Sequence, residues 1–365
     1  MKKTGSKMRI LAVVLPLLCA TQASCITIFQ VGNSHTWDLK PDYGMKKIFE
    51  AAGVAIENDR QIVCGQSLHY IVNNPEDSCI APIGYSDYVD ALIGQSWDVV
   101  TLQPFPGASG QAEAEALVDL IDLARWRSSD GQTRYLVYCT WPIVPDQDLL
   151  VYDYDTAWSL PFIGTDQPTL ANREFFIYMM KVVRDEFPNL PVEAIPVGAV
   201  LEEFHLRALN GQIAGFSGAG ALYRDRYHMN NVGHFIAALT TYCVITGNTA
   251  ADLGTDIIPG FAANDPEVDH EITAALRLEI ADLVDSIIAY QPFAPPAPVL
   301  NLSSTSNMPT SVSFKAYTGL NYTLKYSSDL TSWVDVLDEV DGNSSVMGHS
   351  SDPLDATGFW QLLSH

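Results

Sequence analysis

Positive charge is scarce in this chain. Lys and Arg number 20 against 43 Asp and Glu in 365 residues, a formal net charge of −23 with histidine neutral. So acidic a surface repels phosphate backbones and anionic lipid headgroups, which argues against nucleic acid as a partner and fits a neutral substrate. The charge bears on solubility and partners, not on fold. Cysteine is sparse too. None of the six forms a C-x-x-C pair and no zinc pattern appears. Also missing are G-x-S-x-G, G-x-G-x-x-G and the P-loop signature, which removes the α/β-hydrolase nucleophile elbow and the usual nucleotide sites from consideration. No internal repeat points to a solenoid. Carboxylates abound, but none are spaced as a metal site requires, so neither a metal nor an organic cofactor is expected.

What remains suits a globular protein. Hydrophobic residues make up 47% of the chain and charged residues 17%, enough apolar material for a sizeable core. The first 25 residues stand apart. Lys2, Lys3, Lys7 and Arg9 precede an apolar run over residues 10–20, and Thr21, Gln22, Ala23 and Ser24 follow. This is the layout of a secretory signal peptide, cut near Ala23 or Cys25, and the run is short of the roughly 20 residues a membrane span needs. Gln22 stands where lipid attachment at Cys25 would want an aliphatic residue. A secreted or periplasmic bacterial protein with no membrane span is expected, its charge passing from −23 to −27 once the four leader cations are gone. An oxidising compartment would allow Cys64 and Cys79 to staple one loop. Cys139 and Cys243 sit in apolar segments and read as buried thiols.

Along the rest of the chain, strand-like and helix-like segments alternate. Apolar, β-branched runs at residues 26–31, 55–63, 97–102, 134–139 and 191–196 read as five strands. Helical spacing predicts helices over 45–52, 111–127, 173–187, 199–209, 231–245 and 272–290. That alternation predicts an α/β fold on a mostly parallel sheet, with ligands beyond the carboxyl ends of the strands. Residues 291–298 form a proline-rich, extended linker, and residues 299–365, rich in Ser, Thr, Val and Asp with short alternating stretches, predict a small all-β domain. The expected organisation is a leader at 1–25, a catalytic domain at 26–290, the linker, and the β module.

The polar residues just after strands carry the chemistry. The first strand ends in Gly32-Asn33-Ser34-His35-Thr36, where a hydroxyl is exposed over the sheet edge. Taken alone, Ser34 reads as well as a turn serine capping a helix. Downstream lies Asp225-Arg226-Tyr227-His228. A serine is a weak nucleophile until a base takes its proton, histidine is suited to that near neutral pH, and a carboxylate holds the histidine's tautomer. Asp and His three residues apart supply both from one loop, although His228 by itself reads equally as an ordinary loop residue.

The two blocks together resemble the SGNH (GDSL-like) hydrolase superfamily, whose first block is Gly-Asp-Ser or Gly-Asn-Ser and whose last is D-x-x-H, followed here by Gly233. The resemblance spans about residues 26–250. It implies a flavodoxin-like three-layer α/β/α sandwich with a five-stranded sheet. Ser34 is then the nucleophile, His228 the base and Asp225 its orienting carboxylate. Gly65, after the second strand, matches the block that donates a backbone N–H to the oxyanion hole, alongside the N–H of Ser34. The third block departs from the family. Its usual Asn is absent, and Gln103 either substitutes as donor or only caps the strand end. His35 and Trp141 are possible pocket residues, while His69 and His234 read as surface or packing residues. The implied activity is ester hydrolysis through an acyl-enzyme, with O-acetyl groups on carbohydrate as the substrate by family habit. A glycan-binding protein without turnover and an acyltransferase remain alternatives. The C-terminal module is similar to β modules on secreted bacterial hydrolases, which implies attachment rather than catalysis.

Overall fold

The computed structural model describes residues 25–127, 132–144, 153–162, 165–166, 171–190, 192–253, 270–293 and the strands of the C-terminal region. The expected leader falls outside the described residues.

Five strands form the central sheet: β1 (Ile26–Gly32), β2 (Ile56–Ile62), β3 (Val99–Leu102), β4 (Arg134–Tyr138) and β5 (Val192–Ile195). All four pairings are parallel, in the order β2-β1-β3-β4-β5. This is the doubly wound order, and its direction reverses between β1 and β3, the position where such sheets bind ligands. β3 is buried at every residue, as expected of a strand covered on both faces.

The connecting helices are α1 (Ser34–Trp37), α2 (Lys46–Ala51), α3 (Leu68–Asn73), α4 (Tyr88–Gly94), α5 (Gly110–Arg127), α6 (Tyr154–Trp158), α7 (Arg173–Glu186), α8 (Val197–Leu209), α9 (Asn231–Thr246) and α10 (Ala274–Tyr290). One layer joins α3, α4, α5 and α7, and the other joins α2, α8, α9 and α10. Right-handed crossovers on either side of the reversal put these groups on opposite faces of the sheet. The three-layer α/β architecture is therefore the one expected. Helix α9 is buried on all sides from Asn231 to Ile245, which its nearly unbroken apolar sequence permits. Among the described residues no helix is long and apolar enough to cross a membrane.

The C-terminal region holds β6 (Asn301–Ser303), β7 (Ser311–Lys315), β8 (Asn321–Ser327), β9 (Val334–Asp341), β10 (Val346–Ser350) and β11 (Phe359–Ser364). They form two three-stranded antiparallel sheets, β10-β7-β6 and β11-β8-β9. Val312 and Phe314 from the first and Tyr322 and Leu324 from the second are buried, and the Phe314 and Tyr322 rings meet at 5.2 Å, so the two sheets share a core. The proline run lies outside the described residues from Ala294 onward. Just before it, Phe293 is buried against Trp158 and Phe176.

Close packing at the sheet's carboxyl edge leaves Gly198 no room for a side chain. A Cβ on Gly198, at the start of α8, would lie 2.2 Å from the Thr140 carbonyl oxygen and 2.3 Å from the buried Trp158 ring. Neither neighbour can swing aside. Gly198→Ala is expected to cost about 1–3 kcal/mol, the usual range for overpacking, and to lower the urea midpoint without changing the slope.

Candidate active site

The turn after β1, which carries Ser34, is built from a glycine, a capping amide and a buried acceptor. Asn33 is the N-cap of α1: its Oδ1 accepts the His35 N–H at 2.9 Å, while its Nδ2 donates to the Gln66 carbonyl at 2.8 Å. Ser34 is thus the first helical residue, not the cap. Gln103, just past β3, places Oε1 among three donors: Asn33 N–H (2.9 Å), Thr36 N–H (3.2 Å) and Thr36 Oγ1 (2.9 Å). Two of these are backbone N–H groups, which fixes which end of the amide is oxygen. A Cβ on Gly32 would sit 2.2 Å from Thr36 Oγ1 and 2.8 Å from Gln103 Cβ, so the convergence requires glycine. Gln103 is buried, its Nε2 meets no partner among the described residues, and the amide is not part of the cleft lining.

The loop after β2 is tied to the same point. The Val63 N–H donates to the Gly32 carbonyl at 2.9 Å, and a Cys64–Cys79 disulfide closes the loop. Gly65 has φ +69°, a left-handed conformation that glycine adopts without steric cost. Behind it Glu113 of α5, fully buried, accepts the N–H groups of Leu68 (3.1 Å), His69 (2.9 Å) and Phe105 (2.9 Å). Burial pushes its carboxyl above the ordinary range, and the three backbone donors offset only part of that. One carboxylate thus binds the loops that follow β2 and β3.

The Asp225–His228 loop is a tight hairpin. A Tyr223–Met229 bridge closes it, and the Arg224 N–H donates to the His228 carbonyl at 3.0 Å. Asp225 Oδ1 accepts the N–H groups of Tyr227 (2.7 Å) and His228 (2.8 Å), an Asx-type turn. Its Oδ2 lies 2.8 Å from His228 Nδ1. The three-residue spacing is what allows one carboxylate both to shape the turn and to reach the ring. Burial would raise the Asp225 pKa, but the Tyr227 N–H, the imidazole and the His228 N–H together hold it below the ordinary value. It therefore stays ionised to lower pH than an ordinary carboxyl. With Nδ1 engaged by Asp225, Nε2 is the ring nitrogen that remains for another partner.

A second, buried pair joins this loop to the turn that carries Ser34. Asp38 follows α1 directly and is almost wholly buried; its Oδ2 accepts the Met229 N–H at 3.0 Å and its Oδ1 lies 3.2 Å from His234 Nε2. The Arg224 guanidinium is 3.6 Å from the same oxygen. Burial acts to raise the Asp38 pKa, yet the His234 hydrogen bond and charge and the Met229 N–H bring it below the ordinary value. His234, expected at the surface or in packing, is fully buried against Asp38, and burial holds its pKa below the ordinary value despite that carboxylate; His69 is exposed.

These elements enclose a cleft of about 520 Å³ lined by Ser34, His35, Cys64, Gly65, Phe105, Tyr227 and His228. The expected nucleophile, base and backbone donor therefore share one wall-to-wall space. His35, despite following Ser34 directly, also faces it. Its ring stacks on Trp141 (4.6 Å, 13°) and meets Phe105 edge-on (5.0 Å). Burial drives the His35 pKa down to about 3, with Asp38 opposing the shift, so the ring is neutral. Trp141 is fully buried behind His35 and donates Nε1–H to the Tyr227 carbonyl at 2.8 Å. It supports the cleft from the rear rather than lining it. A second cavity of about 270 Å³ runs beside edge strand β5. It contains neither serine nor histidine, and its Cys243 thiol is pushed up to about 12 by burial.

Asp38, Glu113 and Tyr227 were not singled out from sequence. Glu113 carried a signal: it lies on the same helical face as Ala116 and Leu120, where a carboxylate among apolar neighbours needs buried donors. Asp38, four residues after Ser34, carried none.

No family model matches the chain, and no curated protein matches it. Among solved structures it is similar to a DUF4886 family protein from Bacteroides uniformis, at 18% identity and a TM-score of 0.48, over 73% of this chain and 96% of that one. It is also similar to a proposed acylhydrolase from Bacteroides fragilis, at 12% identity and a TM-score of 0.33, over 62% of this chain and 91% of that one. At these scores neither likeness carries an argument about activity.

Two outcomes follow from the site's supports. Glu113→Gln puts an amide N–H2 where a carboxylate oxygen now accepts, leaving at least one buried backbone N–H unpaired. A loss of about 1–3 kcal/mol is expected in chemical denaturation. For His35, a pKa lowered from 6.5 to about 3 means that the unfolded chain binds the proton more readily. Stability from this group is present above pH 6.5 and is lost as pH falls from there toward 3. His35→Phe should flatten that part of the melting-temperature profile; an unchanged acid slope would show that the ring is not neutral in the fold.

Proposed function

We propose that the protein is a serine esterase of SGNH type, cleaving carboxylic esters through an acyl-enzyme, with O-acetylated carbohydrate as the substrate class. The reading rests on one observation above all: Ser34 and His228 line a single cleft, with Asp225 hydrogen-bonded to the far nitrogen of the imidazole. Ser34 Oγ attacks the ester carbonyl while His228 Nε2 takes its proton, and Asp225 stabilises the imidazolium. The oxyanion that forms is met by the backbone N–H groups of Ser34 and Gly65. Gln103, whose amide does not line the cleft, serves in this reading through Oε1, which holds the turn that carries the nucleophile. On collapse His228 returns the proton to the departing alkoxide. Water then repeats the cycle and releases the acid.

A neutral substrate agrees with the lining, which contains no Lys, Arg, Asp or Glu side chain. Export from the cytoplasm belongs to the same reading, and the Cys64–Cys79 disulfide supports it, since such bonds persist in oxidising compartments.

Turnover of p-nitrophenyl acetate is the direct test. Wild-type protein should hydrolyse it with saturation, and Ser34→Ala should lower kcat by about 10⁴-fold or more. Equal rates for the two proteins would remove the esterase reading.

A further inference from the structure

The cleft contains one exposed aromatic side chain that the ester chemistry does not use. Tyr227 directly precedes His228, lines the cleft, and is 41% exposed. The other rings of the lining are more enclosed: His35 and Phe105 are buried and His228 is partly buried. An exposed aromatic ring beside a reacting centre is a recognition surface when it is held still, because the entropy of ordering it has already been spent in folding.

Tyr227 is held still. Its N–H donates to Asp225 Oδ1 at 2.7 Å, and its carbonyl accepts from Trp141 Nε1 at 2.8 Å. Both peptide groups flanking the residue are therefore pinned, one to the carboxylate that orients the base and one to the ring behind His35. The side chain is backed as well. The Arg226 guanidinium lies 5.6 Å from the ring centroid, and Arg226 itself is anchored through Nε to the Val144 carbonyl at 2.9 Å. The Tyr227 centroid is 6.1 Å from that of His228. A group resting on the Tyr227 ring is thus one ring-width from the imidazole that protonates the leaving oxygen.

Resting on the esterase reading, we infer that Tyr227 is the platform for the alcohol part of the substrate, stacking on the apolar C–H face of the sugar ring whose acyl group reaches Ser34. A pyranose suits the position. It offers one apolar face to an aromatic ring and hydroxyls around its edge, and it brings no charge into a cleft whose lining offers no ionic partner. Tyrosine meets both needs, with an apolar body and a polar tip.

The test compares two acetate esters that differ only in the alcohol: an O-acetylated methyl glucopyranoside and ethyl acetate, which has no ring. For wild type, Tyr227→Ala and Tyr227→Trp, the quantity read is the ratio of kcat/KM on the sugar ester to that on ethyl acetate. Tyr227→Ala should lower this ratio about tenfold, mainly through KM, and Tyr227→Trp should restore it. An equal loss on both esters would mean that Tyr227 serves only the Asp225 turn, and an unchanged ratio would mean that the sugar binds elsewhere; either overturns the platform. A binding arm separates this from the parent reading. Ser34→Ala and the double variant Ser34→Ala/Tyr227→Ala are titrated with the same sugar ester by calorimetry. The platform requires weaker binding by the double variant even if wild type shows no turnover, and equal binding overturns it whatever the kinetics.

Discussion

Backbone N–H groups set free where parallel strands end must find acceptors, and at this edge of the sheet side chains supply them. Gln103 Oε1 gathers the donors of the turn after β1, Glu113 those of the loops after β2 and β3, Asp38 the Met229 N–H, and Asp225 those of its own hairpin. Gln103, Glu113 and Asp38 each hold donors of another segment, whereas Asp225 holds its own turn. Asp38 spans the longest reach, tying the turn after β1 to a hairpin 191 residues on.

The three carboxylates show how the same chemical group takes opposite settings. Glu113 meets only neutral donors in a dry site, so desolvation prevails and its proton affinity rises. Asp38 is as deeply buried, but His234 and Arg224 stand beside it and its affinity falls. Asp225 is half open to solvent and falls as well, by backbone donors and the imidazole. Only the last touches a ring that lines the cleft. The other two are scaffolding, and their charges matter for where loops sit.

The α/β layout was legible because strand-like and helix-like periods alternate over most of Ile26 to Tyr290, and all five strands lie where the sequence places them to within a few residues, although the short α3 and α4 between β2 and β3 were not read. The cleft-lining Ser34, Gly65 and His228 were legible because strand-end position and the D-x-x-H spacing are local signals. The supports were not, since Asp38 and Glu113 act on partners remote in sequence and no local pattern marks a buried acceptor. His35 shows a different limit. Neighbouring residues on an extended chain point apart, but the chain turns helical at Ser34, and both side chains face the cleft. Gln103 shows the reverse: its amide was read from chemistry alone, and the fold devotes its oxygen to the turn.

The Cys64–Cys79 bond lies one residue from Gly65, so the backbone that would meet a developing negative charge belongs to a covalent ring rather than to an open loop. Thiol chemistry in the surroundings and the geometry at this cleft are thereby coupled. A chain synthesised where thiols stay reduced would carry the same sheet and the same hairpin, yet its second loop would depend on hydrogen bonds alone, those to Glu113, Gly32 and Asn33.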